Sequence, residues 1–416
     1  MPLIVMKFGG SSVADAEKIK RVAGRVIAKR KQGNKVVVVV SAPGDMTDDL
    51  IALAEGVTDC PDEREMDMLL ATGEQVSIAL LSMAIKSMGQ DSISLTGPQA
   101  GIYADTTYTK ARITKIVPTK VHGELSKERI VIVAGFQGLN PNSDITTLGR
   151  GGSDLTAVAL AAALKADTCE IYTDVEGVYT TDPRLIKDAR KIDFISYDEM
   201  LEMAGSGAQV MQGRSIEVGK KFGVDIIVRS TFSENEGTLI TSEEKIQAWR
   251  KKMEEVVVSS VTFDRNQAKL SVLDVPDHPG IAAKIFGNLA KGGVNVDMII
   301  QSAATEKRND ISFTVSSSDL KKAMAILGRV KKALNAKEVI YDDKIAKVSI
   351  VGVGMRSHPG VAARMFNIMA KNRINIEMIS TSEIKVSCVV KEVDVSRAVE
   401  YLHKGFGLGK KSKNQA

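Results

Sequence analysis

The sequence has few aromatic residues, few cysteines and no long apolar run, and each shortage excludes a class of protein. Phe, Trp and Tyr make up 4% of the 416 residues, which disfavours the stacking platforms that bind single-stranded nucleic acids. The three cysteines, Cys60, Cys169 and Cys388, are odd in number and far apart, unlike a disulfide framework or a zinc site. No uninterrupted apolar run reaches the roughly 18 residues of a membrane-spanning helix, and the N-terminus lacks the features of a secretory signal. We therefore predict a cytoplasmic protein with no nucleic-acid partner and no membrane partner.

The chain also lacks a strong charge of either sign. The formal net charge is +5, and charged residues (26%) and hydrophobic residues (44%) occur in the proportions of a globular protein. Basic and acidic residues interleave along the predicted helices, which indicates solvated helix faces more than a phosphate-binding surface. A chain of this length is expected to form two or three domains.

The first 240 residues alternate short apolar runs with helical patterns. This alternation predicts an α/β fold with a mainly parallel sheet covered by helices on both sides. Val36 to Val40 are five consecutive valines, as expected for a strand buried on both faces. Helices are predicted over 14–30, 75–87 and 154–166, with a helical connector over 242–255. The predicted strands are Leu3–Met6, Lys35–Val40, Ser92–Leu95, Ile130–Ala134, Glu170–Thr173 and Asp225–Val228.

A lysine and two glycines lie at the end of the first predicted strand. Gly9 and Gly10 have no Cβ, so backbone N–H groups there can approach phosphate oxygens closely. Lys7 can place a positive charge where charge develops during phosphoryl transfer, and the following helix directs its positive end toward the same place. The loop is not a Walker A loop, because it lacks G-x-x-x-x-G-K-[ST]. An ordinary strand–turn–helix corner is the alternative.

A second glycine cluster, Thr146 to Asp154, precedes the predicted helix 154–166. Its glycines permit tight turns, and Ser153 or Asp154 can cap the helix. Arg150 suits bidentate binding of a carboxylate or a phosphate. Five polar groups and three glycines within nine residues favour a binding loop over a simple turn.

Two further segments are polar where a strand ends or a helix begins. Thr173 to Arg184 offers hydroxyls, carboxylates, a tyrosine and an arginine just beyond a predicted strand, where ligands bind in open α/β sheets. A long surface loop is the alternative there. Thr72 to Glu74 is predicted to open the helix 75–87. Glu74 would then interact with the helix dipole or take a ligand ammonium.

The last third of the chain contains an internal repeat. An offset of 80 residues superimposes His278-Pro279-Gly280 on His358-Pro359-Gly360, with twelve identities in 25 positions and no gap. Each copy reads strand, Pro-Gly loop, helix, strand, strand, then a further helix and strand. This order predicts two tandem ferredoxin-like βαββαβ modules.

Together these stretches resemble the aspartokinase family, within the amino acid kinase superfamily. The matching stretches are KFGGSSV, VVVSAPGDMTDDL, LLATGEQVS, VAGFQG, TTLGRGGSD, YTDVEGVYTTDPR, DVPDHPGIAAKIFGNLAKGGVNVDMI and GMRSHPGVAARMFNIMAKNRINIEMISTSE. The last two resemble the paired regulatory ACT domains of that family. The resemblance implies an amino-acid-kinase catalytic domain over 1–245, one ACT module over 262–340 and a second over 341–406 that includes a strand from 253–261.

The resemblance implies an enzyme that phosphorylates the β-carboxylate of L-aspartate with ATP and Mg²⁺, the first step of lysine, threonine and methionine biosynthesis. No base is required, because the nucleophile is already an ionised carboxylate, so catalysis rests on positioning and charge neutralisation. The residues implied to be catalytic are Lys7, Arg150 and Asp154. Those implied to bind aspartate are Ser41, Thr47, Glu74, Arg150 and Ser153. Those implied to bind ATP are Lys7, Gly9, Gly10, Ser11, Thr173, Asp174, Tyr179, Arg184 and Gln209, with Mg²⁺ carried by the nucleotide and no protein metal ligand.

The resemblance also implies feedback inhibition by lysine, threonine or both. The effector residues implied in the first module are Asp277, His278, Pro279, Gly280, Ile281, Ala282, Asn295, Val296, Asp297 and Gln301. Those implied in the second are Val361, Ala362, Asn375, Ile376, Ser382 and Glu383. A homo-oligomer through the ACT modules is implied, and Met253 would start a shorter regulatory subunit made from the same gene.

The sequence departs from the family pattern at two positions. Met46 stands where the family usually has the first of two threonines, and Gln209 where it usually has a lysine that reaches the nucleotide. Glutamine keeps a donor but loses the charge, which affects the expected nucleotide affinity and purine selectivity. Two alternatives stay open: another amino acid kinase acting on acetylglutamate, glutamate or carbamate, and a non-catalytic amino-acid sensor on a kinase platform.

Overall fold

The computed structural model describes residues 1–208, 210–250, 257–304, 306–356 and 358–409, which divide into two compact units. The first unit comprises Met1–Val178, Lys191–Ala204 and the described residues within Gln209–Glu254. The second comprises Tyr179–Arg190, Gly205–Ala208 and the described residues within Glu255–Ala416. Two short segments from the first half of the sequence therefore belong to the second unit.

The elements of the first unit alternate between strands and helices. The strands are β1 (Leu3–Phe8), β2 (Lys35–Val40), β3 (Ser92–Leu95), β4 (Ile102–Ala104), β5 (Ile113–Ile116), β6 (Ile130–Ala134), β7 (Gln137–Leu139), β8 (Ile145–Thr147), β9 (Thr168–Thr173), β10 (Phe194–Ser196), β11 (Ile226–Ser230) and β12 (Thr238–Thr241). The helices are α1 (Ala16–Lys31), α2 (Met46–Val57), α3 (Glu63–Ser87), α4 (Thr119–Ser126), α5 (Gly152–Leu164), α6 (Tyr197–Ala204), α7 (Gly213–Phe222) and α8 (Glu243–Arg250).

Eight of these strands form one sheet in the order β10-β12-β11-β9-β1-β2-β6-β3. Every neighbouring pair is parallel except β11 and β12. Alternate residues of β1 and β2 pack with α1 and α3 in one core, while the nearly all-apolar α5 packs against β1, β2 and β9. The predicted mainly parallel sheet with helical layers is confirmed. A second, four-stranded sheet (β5-β4-β7-β8) was not predicted, because strands of three or four residues are too short to show a period.

Helix α3 begins much earlier than the sequence predicted. Asp62 caps it by accepting from the N–H groups of Arg64 and Glu65, and the helix then continues for 25 residues. The prediction that Thr72 to Glu74 opens a helix is therefore wrong. The prediction treated Gly73 as a sign of a helix start. Gly73 instead lies inside the helix, where a Cβ would lie 2.7 Å from the Cβ of Ala42.

Helix α3 is also long and apolar enough to meet the length and hydropathy criteria for crossing a membrane. Half of the relevant window is buried inside the unit. The charged residues Asp67 and Glu74 are buried on the side that faces the protein core. These features are those of a core helix.

The second unit is built on one antiparallel sheet. Its strands are β13 (Ser260–Pro276), β14 (Ile299–Gln301), β15 (Arg308–Val315), β16 (Glu338–Val351), β17 (Met378–Thr381) and β18 (Lys385–Lys391), in the order β14-β15-β13-β16-β18-β17. Its helices are α9 (Ile281–Lys291), α10 (Leu320–Val330), α11 (Val361–Lys371) and α12 (Val395–Gly405).

The two long strands β13 and β16 are each shared by both repeats. They pair from Ser260 opposite Val351 to Leu273 opposite Glu338. Leu270, late in β13, packs in a core with α9 and α10, while Val261, early in β13, packs in another core with α11 and α12. The two ferredoxin-like modules are thus confirmed. The strand predicted over 253–261 differs, since the described strand begins at Ser260 and residues 251–256 lie outside the described residues. The numerical domain boundaries stay predictions.

Candidate functional site

The candidate site lies where the parallel strands of the first unit end. β1 stands between its parallel neighbours β2 and β9, so the chain leaves β1 toward one side of the sheet and returns later on the other. In open α/β sheets, a ligand binds at the carboxyl ends of the strands where the strand order reverses. The loops that follow Phe8, Val40 and Thr173 meet at this edge.

Lys7 forms an ion pair with Asp154 at this edge. The ammonium lies 2.7 Å from a carboxylate oxygen of Asp154, in the first turn of α5, and the two side chains are only 12% and 11% exposed. The same ammonium lies 3.5 Å from the position that a Cβ on Gly9 would take. A phosphate bound over Gly9 would therefore compete with Asp154 for the charge of Lys7.

Ala42, after β2, contacts both predicted subsites. Its N–H donates to Oε1 of Glu74 at 3.1 Å, and its carbonyl oxygen lies 2.8 Å from the position that a Cβ on Gly10 would take. The carbonyl of Gly10 accepts from the N–H of Gly44 at 3.0 Å. Glycine is needed at position 10 because the two loops approach each other this closely.

Glu74 is a buried carboxyl with spare acceptor capacity. It is 3% exposed, and its Oε2 has no hydrogen-bond partner among the described residues. Burial raises the pKa of Glu74 to about 7, while the N–H of Ala42 acts in the opposite direction. A ligand ammonium at Oε2 would satisfy this oxygen and favour the ionised form.

The loop before α5 differs in detail from the prediction. Gly151, in the left-handed conformation with φ 70°, is the N-cap residue, so neither Ser153 nor Asp154 caps the helix. Ser153 is buried against Gly135, where a Cβ would lie 2.6 Å from the serine Oγ. The Arg150 side chain is exposed at the tip of the loop. The prediction of a helix cap was wrong because Gly151, with its positive φ, ends the loop two residues before Ser153.

Two charged residues that the sequence analysis missed fix this loop. Asp67 of α3 is fully buried and accepts from the Thr147 hydroxyl at 2.5 Å and from the N–H of Thr109. Burial raises the pKa of Asp67, and these hydrogen bonds partly offset the shift. Arg214 of α7 donates to the carbonyls of Leu148 at 2.8 Å and Ala111 at 2.9 Å. In the sequence, Asp67 stands seven residues, or about two helical turns, before Glu74, and this spacing is a signal that could have found Asp67.

The remaining predicted residues of the first unit lie on the same loops. The N–H of Ser41 donates to the carbonyl of Phe8 at 3.1 Å, and Thr47 lies in the first turn of α2. Ser11 is exposed in a short 3-10 turn after Gly9. Ser12 beside it, not predicted, is fully buried, and its hydroxyl lies 2.6 Å from that of Thr231 after β11.

The predicted nucleotide segment is divided between the two units. Thr173 ends β9 and Asp174 follows it in the first unit, where the Thr173 hydroxyl donates to Asp174 at 2.9 Å. Tyr179 and Arg184 belong to the second unit. Arg184 is 87% exposed and pairs with Asp182 through two of its nitrogens. Gln209 lies outside the described residues.

Metal binding by the protein alone finds no support within the described ranges. No group of three His, Cys, Asp or Glu there is placed to hold a metal ion.

In the second unit, the repeated His-Pro-Gly loops end in glycines with the same backbone conformation. Gly280 and Gly360 are the N-cap residues of α9 and α11, with φ of 99° and 98° and no side-chain cap. Asp277 accepts from the amide of Asn309, and the Oδ1 of Asn309 is buried without a partner among the described residues. An uncapped helix N-terminus leaves N–H groups for an anion.

Asp297, which the sequence predicted, and Glu377 at the matching place take part in ion pairs between the repeats. Asp297 pairs with Lys347 of β16, and the ammonium of Lys347 also donates to the carbonyl of Gly205 at 3.2 Å. Glu377, at the matching place in the second repeat, lies 3.0 Å from the ammonium of Lys269 of β13. Each acid thus binds a lysine on the long strand of the other repeat.

The other predicted effector residues lie at module surfaces or helix starts. Those exposed are His278, Pro279, Ala282, Asn295, Gln301, Asn375, Ser382 and Glu383. Val296, Val361, Ala362 and Ile376 are half-buried, and Ile281 is buried at the start of α9.

Comparison with known proteins agrees with the fold of each unit. The model of the amino acid kinase family matches residues 2–230, and an ACT domain model matches residues 273–330 and 348–406. The chain is 51% identical to the aspartokinase of Pseudomonas aeruginosa over 408 residues, 98% of each chain. It resembles the structure of Escherichia coli aspartokinase III in complex with aspartate and ADP (R-state), with a TM-score of 0.81 at 25% identity, over 97% of this chain and 99% of that one. The T-state structure of that enzyme with lysine and aspartate gives a TM-score of 0.74 at the same identity and coverage.

Proposed function

We propose that this chain, which belongs to the aspartokinase family within the amino acid kinases, transfers the γ-phosphoryl group of ATP to the β-carboxylate of L-aspartate. Membership makes it an enzyme, an aspartate kinase with ACT modules. The observation that carries the proposal is the double contact of Ala42 with Glu74 and with Gly10. It brings a carboxyl that can take an ammonium next to a glycine loop that can take phosphates.

On the nucleotide side, Gly9, Gly10 and Ser11 cradle the phosphates, and Lys7 neutralises the charge that develops on the transferring group. Asp154 holds the ammonium of Lys7 until the phosphates arrive. Thr173, Asp174, Tyr179, Arg184 and Gln209 bind the remainder of ATP. Mg²⁺ would come with the nucleotide and neutralise the charge of its phosphates, as phosphoryl transfer generally requires.

On the acceptor side, Glu74 takes the ammonium of aspartate and Arg150 binds a carboxylate. Ser41, Thr47 and Ser153 contribute hydroxyls. The acceptor carboxylate is already ionised at neutral pH, so the protein has to orient it and to reduce repulsion from the phosphates. The exposed Arg150 has to move onto the substrate, as loop residues often do on binding.

Regulation follows from the paired modules. Lysine, threonine or both bind at the His-Pro-Gly loops, with the effector carboxylate at the uncapped N-termini of α9 and α11. The lysine bound to the T-state relative supports lysine as one effector. A homo-oligomer through the modules, a shorter subunit that starts at Met253 and a cytoplasmic location remain part of the proposal.

ADP release, measured with ATP and L-aspartate together and with each alone, tests the function. We expect turnover only when both are present, and none with acetylglutamate, glutamate or carbamate in place of aspartate. Turnover with one of those acceptors would identify another amino acid kinase. Binding of lysine without any ADP release would identify a non-catalytic sensor.

A further inference from the structure

Helix α3 carries two buried carboxyl groups that contact different loops of the first unit. Asp67 and Glu74 are seven residues apart, so they project from nearly the same face of the helix, about 10 Å apart along its axis. Glu74 contacts the loop after β2 through the N–H of Ala42. Asp67 contacts the end of β8, where it accepts from the hydroxyl of Thr147 at 2.5 Å. One continuous helix therefore fixes the spacing between these two loops.

The neighbouring strand of the same hairpin is also bound to α3. Gln137 of β7 stands opposite Thr147 of β8, is fully buried and donates to the carbonyl of Ala71 at 3.0 Å. Ala71 lies between Asp67 and Glu74 on the helix. The hairpin of β7 and β8 is thus anchored to α3 at two neighbouring points, and it cannot shift along the helix without breaking both hydrogen bonds.

Asp67 also holds the turn that contacts the loop of Arg150. Thr109 has a φ of 63°, a strained conformation for a β-branched residue, and its N–H donates to the two carboxylate oxygens of Asp67 at 3.1 and 3.0 Å. The carbonyl oxygen of Thr109 lies 3.3 Å from the position that a Cβ on Gly149 would take. Arg150 follows Gly149 directly, so the segment that leads into Arg150 is held by Asp67 through Thr147 and through Thr109.

Resting on the proposed function, we infer that Asp67 is a positioning residue for the acceptor, which sets Arg150 at the distance from Glu74 that aspartate requires. Asp67 is 0% exposed, so the substrate does not reach it and it acts only through the loop that it holds. The phosphate side is anchored separately, because Lys7 pairs with Asp154 of α5, and α5 packs against β1, β2 and β9. The effect is therefore on aspartate binding and not on ATP binding.

Thr147→Val keeps the shape of the side chain and removes the hydroxyl, while Thr147→Ser keeps the hydroxyl. We expect Thr147→Val to raise the KM for aspartate about tenfold, as for loss of one hydrogen bond to a charged group, and to leave the KM for ATP within about twofold. Thr147→Ser should remain within about threefold of the parent for both substrates. If Thr147→Val does not fold, Asp67→Asn, which replaces one of the two acceptor oxygens, decides in the same way.

Thr241 provides a matched control in the same unit. Its hydroxyl donates to a carboxylate oxygen of Asp225 at 2.5 Å, and Thr241 is also 0% exposed. β11 is parallel to β9 and antiparallel to β12, so Thr241 at the end of β12 lies at the sheet edge opposite the candidate site. Thr241→Val should lower the Tm as Thr147→Val does, and it should leave both KM values unchanged.

Arg150→Ala shows whether Thr147 acts through this arginine. In the Arg150→Ala protein, Thr147→Val should raise the KM for aspartate by less than about twofold, because the group that it positions is already gone. Additive effects of the two substitutions would overturn the inference. A lower Tm with an unchanged KM for aspartate, or equal changes of both KM values, would mean that Asp67 only stabilises the fold and would overturn it as well.

Calorimetric binding of aspartate, measured without ATP, separates this inference from the proposed reaction. Weaker aspartate binding by Thr147→Val, with parental binding by Thr147→Ser and Thr241→Val, supports the inference even if the parent protein releases no ADP. Absence of ADP release alone would refute only the proposed function. A parent protein that binds no aspartate would overturn both.

Discussion

Gly73 of α3 and Ala42 after β2 touch so closely that a Cβ on Gly73 would lie 2.7 Å from the Cβ of Ala42. Ala42 in turn holds Glu74 and abuts Gly10, so this contact spaces the helix from both loops of the site.

We therefore expect Gly73→Ala to destabilise the protein by about 1–3 kcal/mol, as overpacking does, although alanine is the better helix former. Gly24 of α1 is the matched control, because a Cβ there would meet nothing within 4 Å. Gly24→Ala should stabilise the protein by about 0.5–1 kcal/mol. Urea unfolding of both variants measures the difference, and equal effects would contradict the close contact.

Lys7→Ala should remove most of kcat, and it should also lower the free energy of unfolding, because it leaves the buried carboxylate of Asp154 without its ion-pair partner. The charge lies beside the glycine loop, and removal of one positioned transition-state donor costs about 3–4 kcal/mol, or roughly 10²–10³ in rate. Lys20→Ala, which removes an exposed lysine of α1 that pairs with the exposed Glu17, is the control. Near-parental turnover of Lys7→Ala would refute the assignment.

Arg150→Lys and Arg184→Lys form a reciprocal pair. A lysine is a point charge and cannot reproduce the bidentate guanidinium, so each substitution weakens only the ligand that its residue contacts. We expect Arg150→Lys to raise the KM for aspartate and Arg184→Lys to raise the KM for ATP. Steady-state kinetics with each substrate varied checks both. An effect of Arg150→Lys on ATP alone would move this residue to the nucleotide side.

The sequence predicted the part of the site that is local in the chain. Lys7, Gly9 and Gly10 are consecutive or nearly so, and a strand exit with glycines has a direct physical reading. The start of α3 was not predictable in this way, because the reason for Gly73 is Ala42, thirty residues away. Asp67 was missed for the same cause: its partners Thr109 and Thr147 come from distant loops.

The sequence also did not predict that segment 173–184 is divided between the two units. Tyr179 and Arg184 come within eleven residues after β9. Thr180 between them nevertheless forms a hydrogen bond with His403, a residue near the end of the described chain. Whether a loop joins one core or another depends on contacts of high sequence separation, which no local pattern encodes. The internal repeat, by contrast, predicted both modules because it compares the chain with itself.

Glu74 should make stability and substrate binding depend on pH. Its pKa of about 7 in the folded state exceeds its ordinary value of 4.5, so the folded state holds this proton more tightly. The stabilisation is complete below about pH 4.5 and is lost as pH rises to about 7, at most about 3 kcal/mol in total. Glu74→Gln cannot titrate and should lack this pH dependence. The free energy of unfolding of the parent minus that of Glu74→Gln, measured by urea unfolding from about pH 4 to about pH 8, should therefore fall as the pH rises.

Proton release on aspartate binding tests the ionisation of the same carboxyl group, Glu74. An ammonium at Oε2 favours the ionised form, so aspartate should release close to one proton per site when it binds at about pH 6. Calorimetry in two buffers of different ionisation enthalpy measures this proton. Binding of aspartate by Glu74→Gln with unchanged affinity would show that Glu74 does not take the ammonium.

The last prediction concerns the effector loops. Gln301 is the last residue of β14, and Ser382 comes directly after β17. Both side chains are exposed. Neither touches the residues of the candidate active site among the described contacts, so Gln301→Ala and Ser382→Ala should leave uninhibited kcat largely unchanged. If their side chains bind lysine or threonine, each variant should need about tenfold more effector for half inhibition, within the 1–3 kcal/mol typical of allosteric coupling. Ser317 is an exposed serine before α10, and Ser317→Ala is the control. This variant should be inhibited by the same effector concentration as the parent. Full activity of the parent at millimolar lysine and threonine together would refute feedback regulation, whereas parental inhibition of both variants would place the effector elsewhere on the modules.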